Sequence, residues 1–376
     1  MSLTALLGAA IYEGAVLHKD KALLCEDDLI VGLKDPETLP ASCEVRHLDG
    51  GYLTPGFVDL QVNGGGGVMF NDHQTVQALE VISKAHRSLG THTFLPTLIS
   101  DTPARIRAAI DAVAAAYAKG VPGIAGIHLE GPHLSLARKG AHEPSLIRSM
   151  SDTDLNMITE ATRRLPNVML TIAPEAVSLS QTQTLAHAGV ILSLGHTNAD
   201  YETCMAYMAA GVRHTTHLFN AMGQLGSRDP GLVGATLDSD DVFAGLIADG
   251  VHVHTASMRA ALRAKKGPGK IYLVTDAMAT AGSNLSEFTL NGRTVFRSEG
   301  TLRLFSGTLA GADIDMPRSI EILVRRVGID EARAISMATS IPATIINLKR
   351  PYGLSNALLR KNLLYMDQDF KLQDFD

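Results

Sequence analysis

The stretch Leu53-Thr54-Pro55-Gly56-Phe57-Val58-Asp59-Leu60-Gln61-Val62-Asn63 decides the fold. Before it, the apolar pieces are short and broken by Asp, Gly and Lys: residues 9–18, 21–25 and 29–33. They read as strands and turns of a small β unit. The opening MSLTALLGAAIYEG reads as its first strand, because its apolar run is short and no basic segment precedes it as in a signal peptide. At Leu53 the character changes. An apolar run ends in the polar pair Gln61 and Asn63, and from there such runs alternate with amphipathic stretches.

Working outward, seven more runs follow, at 91–97, 124–130, 168–175, 190–196, 212–217, 242–249 and 271–276. Helix candidates at 76–88, 103–119, 152–164 and 199–210 lie between them. Strands buried on both faces read as near-continuous apolar runs, and intervening helices supply parallel crossovers. Eight such units predict an α/β chain with a (β/α)₈ TIM barrel. An open doubly wound sheet is the alternative, and the count favours closure. After the eighth run, 287–303 alternates as a hairpin with Asn291-Gly292 as its turn. Helices are predicted at 316–327 and 330–339. The tail 351–376 returns to strand-like pieces that would pair with the N-terminal strands. The expected division is a small β domain from 1–53 and 346–376, and a barrel from 54–345.

Composition narrows the function. The 376 residues carry 45% apolar and 19% charged side chains, an ordinary globular balance, and a net charge of −6. That charge argues against nucleic acid as a partner, which requires a basic face, but leaves room for a small phosphorylated molecule held by a few local cations. Three cysteines with no C-x-x-C spacing speak against a disulfide framework or a cysteine zinc site. No window reaches the roughly 18 apolar residues of a membrane span. The expectation is a cytoplasmic protein with no membrane partner.

Reactive side chains fall at the ends of the runs. Gln61 and Asn63 close the first, Glu130 the third, His196 the fifth, His217 the sixth and Asp276 the eighth. In a barrel these ends share one face, where active sites form. Glu130, His196 and His217 offer one carboxylate and two imidazoles, a set suited to zinc or a similar divalent ion with a position left for water. Taken alone, each has a plainer explanation: a hydrogen-bonded strand-end histidine, or a helix-capping glutamate. Asp276, in LVTDAMATAG, is placed to move a proton between water and a leaving nitrogen, or else caps the next segment. Gly64-Gly65-Gly66-Gly67 lacks the Lys-Ser/Thr of a phosphate loop and reads as a flexible loop.

In order along the chain, LTPGFVDLQVNG (53–64), HLEGPHLSLARKGAHEP (128–144), SLGHTNAD (193–200), THLFNAM (216–222), ADGVHV (248–253) and LVTDAM (273–278) resemble the signatures of the N-acetylglucosamine-6-phosphate deacetylase family, within the amidohydrolase superfamily. The resemblance implies a metal-bearing barrel with a small β-sandwich built from both chain ends. It implies hydrolysis of N-acetyl-D-glucosamine 6-phosphate to D-glucosamine 6-phosphate and acetate. It makes Glu130, His196 and His217 the metal ligands and Asp276 the acid/base. His142 would polarise the acetyl carbonyl, with Ala141 beside it. Asn220 and Ala221 would hold the sugar, Arg228 and His252 the phosphate, and Leu309, Ala310 and Gly311 would complete the pocket. Another acylated sugar phosphate, or a non-catalytic sugar-phosphate-binding barrel, are the rival readings.

Two departures matter. Where many amidohydrolases carry His-x-His, this chain has Gln61-Val62-Asn63. Amides are poor ligands beside imidazole, so one divalent ion is expected: Zn²⁺ first, with Fe²⁺, Co²⁺ and Mn²⁺ as alternatives. From Leu358 the tail reads LLRKNLLYMDQDFKLQDFD, and the family's last strand is expected to be missing. The family also implies a homodimer or higher homo-oligomer, with the Arg228 loop reaching a neighbour's site.

Overall fold

Eight parallel strands form one sheet in chain order: Phe57–Val62, Thr91–Ile99, Ile127–Glu130, Val168–Ile172, Ile191–Leu194, His214–Thr215, Phe243–Leu246 and Ile271–Leu273. Each lies within an expected run, except that the second continues two residues past Thr97. The structure, a computed structural model, describes residues 2–348, 353–354 and 360–375. The first run needs a correction. It divides into Tyr52–Pro55, which joins a different sheet, and the barrel strand Phe57–Val62. Gly56 allows the break: a Cβ there would lie 2.3 Å from the His92 ring.

Helices α1 (Val76–Ser88), α2 (Pro103–Lys119), α3 (Asp152–Ala161), α4 (Leu179–His187), α5 (Tyr201–Ala209), α6 (Gly231–Asp238) and α7 (Thr255–Ala264) follow the first seven strands. Their starts are chemical. Thr75 and Thr102 cap α1 and α2 through their hydroxyls, and Pro103 sits where a missing N–H does no harm. Ser151 with Asp154, and Ser178 with Gln181, form capping boxes on α3 and α4. Their buried faces, such as Leu79, Ile82 and Ile110, pack with Leu129, Leu170 and Leu192 of the strands in the principal core. Burying each such side chain contributes roughly 1.5–3 kcal/mol.

A buried chain of hydroxyls and an imidazole crosses several of the barrel strands. Thr97 meets His128 Nδ1 at 3.3 Å, and His128 Nε2 meets Thr171 at 2.8 Å. Thr171 meets Thr216 at 2.7 Å, and Thr216 meets Ser193 at 2.6 Å.

The chain ends form the two sheets of a small β-sandwich. One has strands Leu29–Lys34, Ala22–Glu26, Leu3–Leu7 and Glu44–His47. The other has Leu372–Gln373, Leu363–Met366, Tyr52–Pro55, Ala10–Glu13 and Val16–His18. Leu6, Ile11, Leu23, Leu53, Leu363 and Tyr365 share their core. The C-terminal tail therefore supplies two strands, although the outer one has only two residues. Residues 349–352 and 355–359, where the altered tail begins with Leu358, lie outside the described residues.

The expected hairpin is part of a larger antiparallel sheet of Glu287–Leu290, Arg293–Ser298, Thr301–Leu304 and Leu309–Ala312. Positive φ at Asn291 (47°) and Gly292 (77°) gives the turn its hairpin twist. Leu290, Val295 and Leu302 pack with Met69, Ile99 and Met278, which seats this sheet beside the barrel mouth. The chain then continues through α8 (Met316–Ile322), α9 (Glu331–Ala338) and α10 (Ser340–Ile345). Among the described residues, no helix is long and apolar enough to cross a membrane.

Candidate active site

The strand ends bring together the residues that the sequence singled out. His196, His217 and Asp276 stand at φ 49°, 29° and 52°, in the left-handed region that residues with a Cβ seldom occupy. Three such positions at one end of a barrel are a signature of a functional site. Gln61, Asn63, Glu130, His142, His196, His217 and Asp276 are all buried.

Glu130 is the hub. Its Oε1 lies 2.8 Å from His196 Nε2 and 3.1 Å from His217 Nε2, and those two nitrogens are 3.0 Å apart. His142 Nε2 is more distant, at 3.7 Å. Burial alone would raise the Glu130 pKa, but the imidazoles of His142, His196 and His217 around it hold it well below the usual carboxylate range. His196 is depressed to about 4, first by burial and then by the neighbouring His142. Burial would depress His217 too, but its bond to Glu130 outweighs this and raises it.

Two overlapping triads are close enough to hold a metal: Glu130–His142–His196 and Glu130–His196–His217. Tautomers separate them. His196 Nδ1 donates to the Arg138 carbonyl at 2.8 Å, leaving a lone pair on Nε2. His142 Nδ1 accepts the Ser100 backbone N–H at 3.3 Å and meets the Ser100 hydroxyl at 2.8 Å. A neutral His142 therefore carries its proton on Nε2 and is a donor. The lone pair of His196, the nearby Nε2 of His217 and the Glu130 oxygen converge, an arrangement that repels itself unless a cation or a proton intervenes. Zinc donors at about 2.0–2.1 Å from the metal sit roughly 3.3 Å from one another, close to the observed spacing. The donor set fits a divalent ion.

Asp276 lies on the opposite side of Gln61. Gln61 Nε2 donates to both Glu130 Oε2 (3.0 Å) and Asp276 Oδ1 (3.1 Å). Asn63 Nδ2 donates to Asp276 Oδ1 at 2.7 Å. Burial, then the Glu130 charge, push the Asp276 pKa up to about 6. The amides that replace His-x-His are thus hydrogen-bond donors to the carboxylates.

A cavity of about 370 Å³ opens over these groups. Ala141, His142, Asn220, Ala221, His252, Leu309 and Gly311 line it, as do Glu130, His196, His217 and Asp276. Ala310, between Leu309 and Gly311, is instead buried in the core of the hairpin sheet. Gly311 has to be glycine, since a Cβ would lie 2.5 Å from Met278 and 2.7 Å from the Asp276 carbonyl. Arg228 lies on an exposed loop and is not among the lining residues.

Sequence reasoning missed four residues. Arg303, from the hairpin sheet, lines the cavity, and its guanidinium donates to the Gly307 carbonyl at 2.9 Å. Nothing in its alternating strand distinguished it. Asp249 fixes His252 through an Nδ1···Oδ2 contact of 2.6 Å; it stood within ADGVHV, where the histidine alone drew attention. Ser100 sets the His142 tautomer, and Arg293 donates to the Ala141 carbonyl, tying the hairpin sheet to the loop that carries His142. Both contacts span long sequence separations that no local pattern announces.

A barrel with carboxylate and imidazoles around a cation position, and a second carboxylate across it, defines a metal-dependent hydrolase. The comparisons narrow the class: residues 52–355 match the Amidohydrolase family, and the chain belongs to it. It is 41% identical over 341 residues to an N-acetylgalactosamine-6-phosphate deacetylase of Shewanella sp. (strain ANA-3), covering 90% of this chain and 86% of the relative. It is 36% identical over 352 residues to the N-acetylglucosamine-6-phosphate deacetylase of Haemophilus influenzae, covering 93% and 91%. The crystal structure of N-acetylglucosamine-6-phosphate deacetylase from Pasteurella multocida superposes with a TM-score of 0.89 at 33% identity, covering 98% and 97%.

Proposed function

We propose that this chain removes the acetyl group from an N-acetylhexosamine 6-phosphate, giving the free amino sugar phosphate and acetate. The observation that carries the reading is the convergence of Glu130, His196 and His217 with Asp276 across from them, linked through Gln61. The substrate class is supported by relatives at 36–41% identity along most of the chain.

Glu130, His196 and His217 would hold one divalent ion, zinc before iron, cobalt or manganese. Bound there, such an ion acidifies water towards a pKa of ~7 and polarises a carbonyl oxygen. The chain's own groups do the rest. Asp276, held by Asn63 and Gln61, takes a proton from the attacking water; a pKa of about 6 suits a base near neutrality and an acid a moment later. His142 donates from Nε2 to the acetyl oxygen as charge develops on it. The protonated Asp276 then delivers its proton to the nitrogen as the C–N bond breaks. Asn220 and Ala221 place the sugar, and His252, oriented by Asp249, faces the phosphate end together with Arg303. Remote binding thereby aligns the amide.

Arg228 stands outside its own chain's cavity, so its phosphate role requires a neighbouring copy. We include a homodimer in the proposal. A sugar phosphate dianion does not cross a bilayer unaided, and a cytoplasmic setting, where such phosphates are made and kept, is part of the proposal.

D-glucosamine is the first reading of the sugar. The 41% identity to a galactosamine-type relative, against 36% to a glucosamine type, favours the galacto epimer as the second. Acetate release is measured from both phosphorylated epimers, before and after chelation and zinc restoration. Metal-dependent release from either supports the reaction, and the ratio chooses the sugar. Folded, metal-loaded protein that releases acetate from neither removes the proposal and turns attention to the binding barrel.

A further inference from the structure

The barrel has a seam. Its ladders run from Phe57–Val62 round to Ile271–Leu273, and among the described residues no ladder joins those two strands. Backbone contact between them begins only at the rim, where Val62 bridges Ala277 and the Asn63 and Gly64 N–H groups reach the Ala277 carbonyl at 2.9 and 3.1 Å. Just below lies Asp59, with no exposed surface.

Its carboxylate takes donors from both sides of the seam. Oδ1 accepts the Gln61 N–H at 3.1 Å and the Thr275 N–H at 3.3 Å. Oδ2 accepts the Thr275 hydroxyl at 2.5 Å. The Thr275 oxygen in turn accepts the Ala277 N–H at 3.2 Å. Gln61 and Thr275 are significant neighbours. The first donates to Glu130 and Asp276, and the second immediately precedes Asp276, whose φ of 52° is held by its surroundings.

A carboxylate is costly here. Burial, only partly offset by Thr275 and Gln61, pushes the Asp59 pKa up to about 7. Apolar packing could close the seam by itself, and Val58, Leu60, Tyr272 and Val274 already share a core there. What an apolar residue cannot do is fix the backbone of two strands at the register their functional side chains need.

We infer that Asp59 is a positioning residue, the clasp that joins the first and last barrel strands and fixes Asp276 and Gln61 relative to Glu130. The inference rests on the role proposed for Asp276. It assigns no contact with substrate to Asp59.

The test uses Asp59→Ala, Asp59→Asn and Thr275→Val in the full-length, metal-loaded enzyme. Asparagine can keep its oxygen on the two N–H groups while its amide turns to the Thr275 hydroxyl, which can accept; alanine can do neither. With Asp59→Ala and Thr275→Val, kcat is expected to fall at least tenfold, with KM within twofold and metal content unchanged. Asp59→Asn should recover most of the rate, and Asp59→Asn combined with Thr275→Val should lose it again. Crystal structures of Asp59→Ala and Thr275→Val should show the Asp276 carboxylate displaced from its 2.7 Å contact with Asn63. Wild-type kcat in Asp59→Ala, or an unmoved Asp276, overturns the clasp. So does a rate loss that merely tracks metal loss, or equal damage from alanine and asparagine. If Asp59→Ala does not fold, Thr275→Val carries both readouts. Wild-type protein that releases no acetate counts against the proposed function, while the position of Asp276 in the variants still judges the clasp.

Discussion

His142 and His196 pack edge to face with ring centroids 4.5 Å apart, yet carry their protons on opposite nitrogens. A carbonyl receives the Nδ1 proton of His196, and a backbone N–H occupies Nδ1 of His142. One ring therefore presents a lone pair to the cation position and the other an N–H to a reacting oxygen. Equal chemistry is divided into two roles by which backbone atom each ring meets.

The division can be measured. His196→Ala and His217→Ala should lose most bound metal and all detectable turnover. His142→Asn should keep a full metal complement and lose roughly 10²–10³-fold in kcat, the range for removing an oxyanion donor. Metal analysis beside steady-state kinetics separates the cases. Metal loss from His142→Asn would make it a ligand and return the choice between the triads to the other side.

Asp276→Asn should bind metal and substrate and lose nearly all turnover, at least about 10³-fold, because the amide can neither take the water's proton nor return it. In the wild type, Asp276 acts as a base only when ionised. Burial and the Glu130 charge raise its pKa to about 6, and a cation bound to Glu130 offsets the second cause, so the rate of the metal-loaded enzyme should break at or below about pH 6, falling about tenfold per unit beneath the break and level above it. A mutant within tenfold of wild type would remove Asp276 from the chemistry.

The barrel was legible because its signal is repeated. Eight apolar runs with helices between them leave little choice of architecture, and strand ends such as Glu130, His196, His217 and Asp276 follow from that architecture without knowledge of any contact. What could not be read depends on tertiary closure. Ser100 to His142 and Asp59 to Thr275 are pairings between separate strands and loops. The break at Gly56 was hidden because the sandwich strand and the barrel strand are both apolar and only one residue apart. Arg303 was masked by ordinary alternation, since an outward arginine on a hairpin has the same local pattern whether it meets solvent or a ligand.

The phosphate end offers a separate comparison. Among the described residues, Arg303 is the one Lys or Arg lining the cavity. Arg303→Gln should raise KM for the phosphorylated sugar about tenfold to a hundredfold, as expected for losing a charge-assisted bond. It should hardly affect the poor hydrolysis of the unphosphorylated acetylated sugar. Arg228→Ala should do the same only if a second copy lends its loop. Light scattering at assay concentration, run alongside, decides that point: a monomer whose KM is insensitive to Arg228→Ala contradicts the shared site.

Buried histidines should set the acid limit of stability. Burial is the main cause that holds His86, His92, His128, His133 and His196 at about 4 and His214 at about 3. In the unfolded chain each titrates near 6.5. Above that pH both states are neutral and stability is whole. As pH falls from about 6.5 towards 4, only the unfolded chain takes up protons, and each histidine removes up to about 1.4 kcal/mol per unit. Asp59 and Asp276, raised to about 7 and about 6, work in the opposite sense through the same window, because the folded state binds their protons first. Six histidines against these two carboxyls and the likewise raised Asp72 and Asp315 leave a net loss. Urea unfolding of chelated protein should therefore show stability dropping by a few kcal/mol between pH 6.5 and 4.5. His214→Phe, which can keep the stack on Phe243 while deleting a ring nitrogen left without a partner, should flatten that slope by up to one proton. A stability that is level or rising across this window would mean that the carboxyls outweigh the histidines.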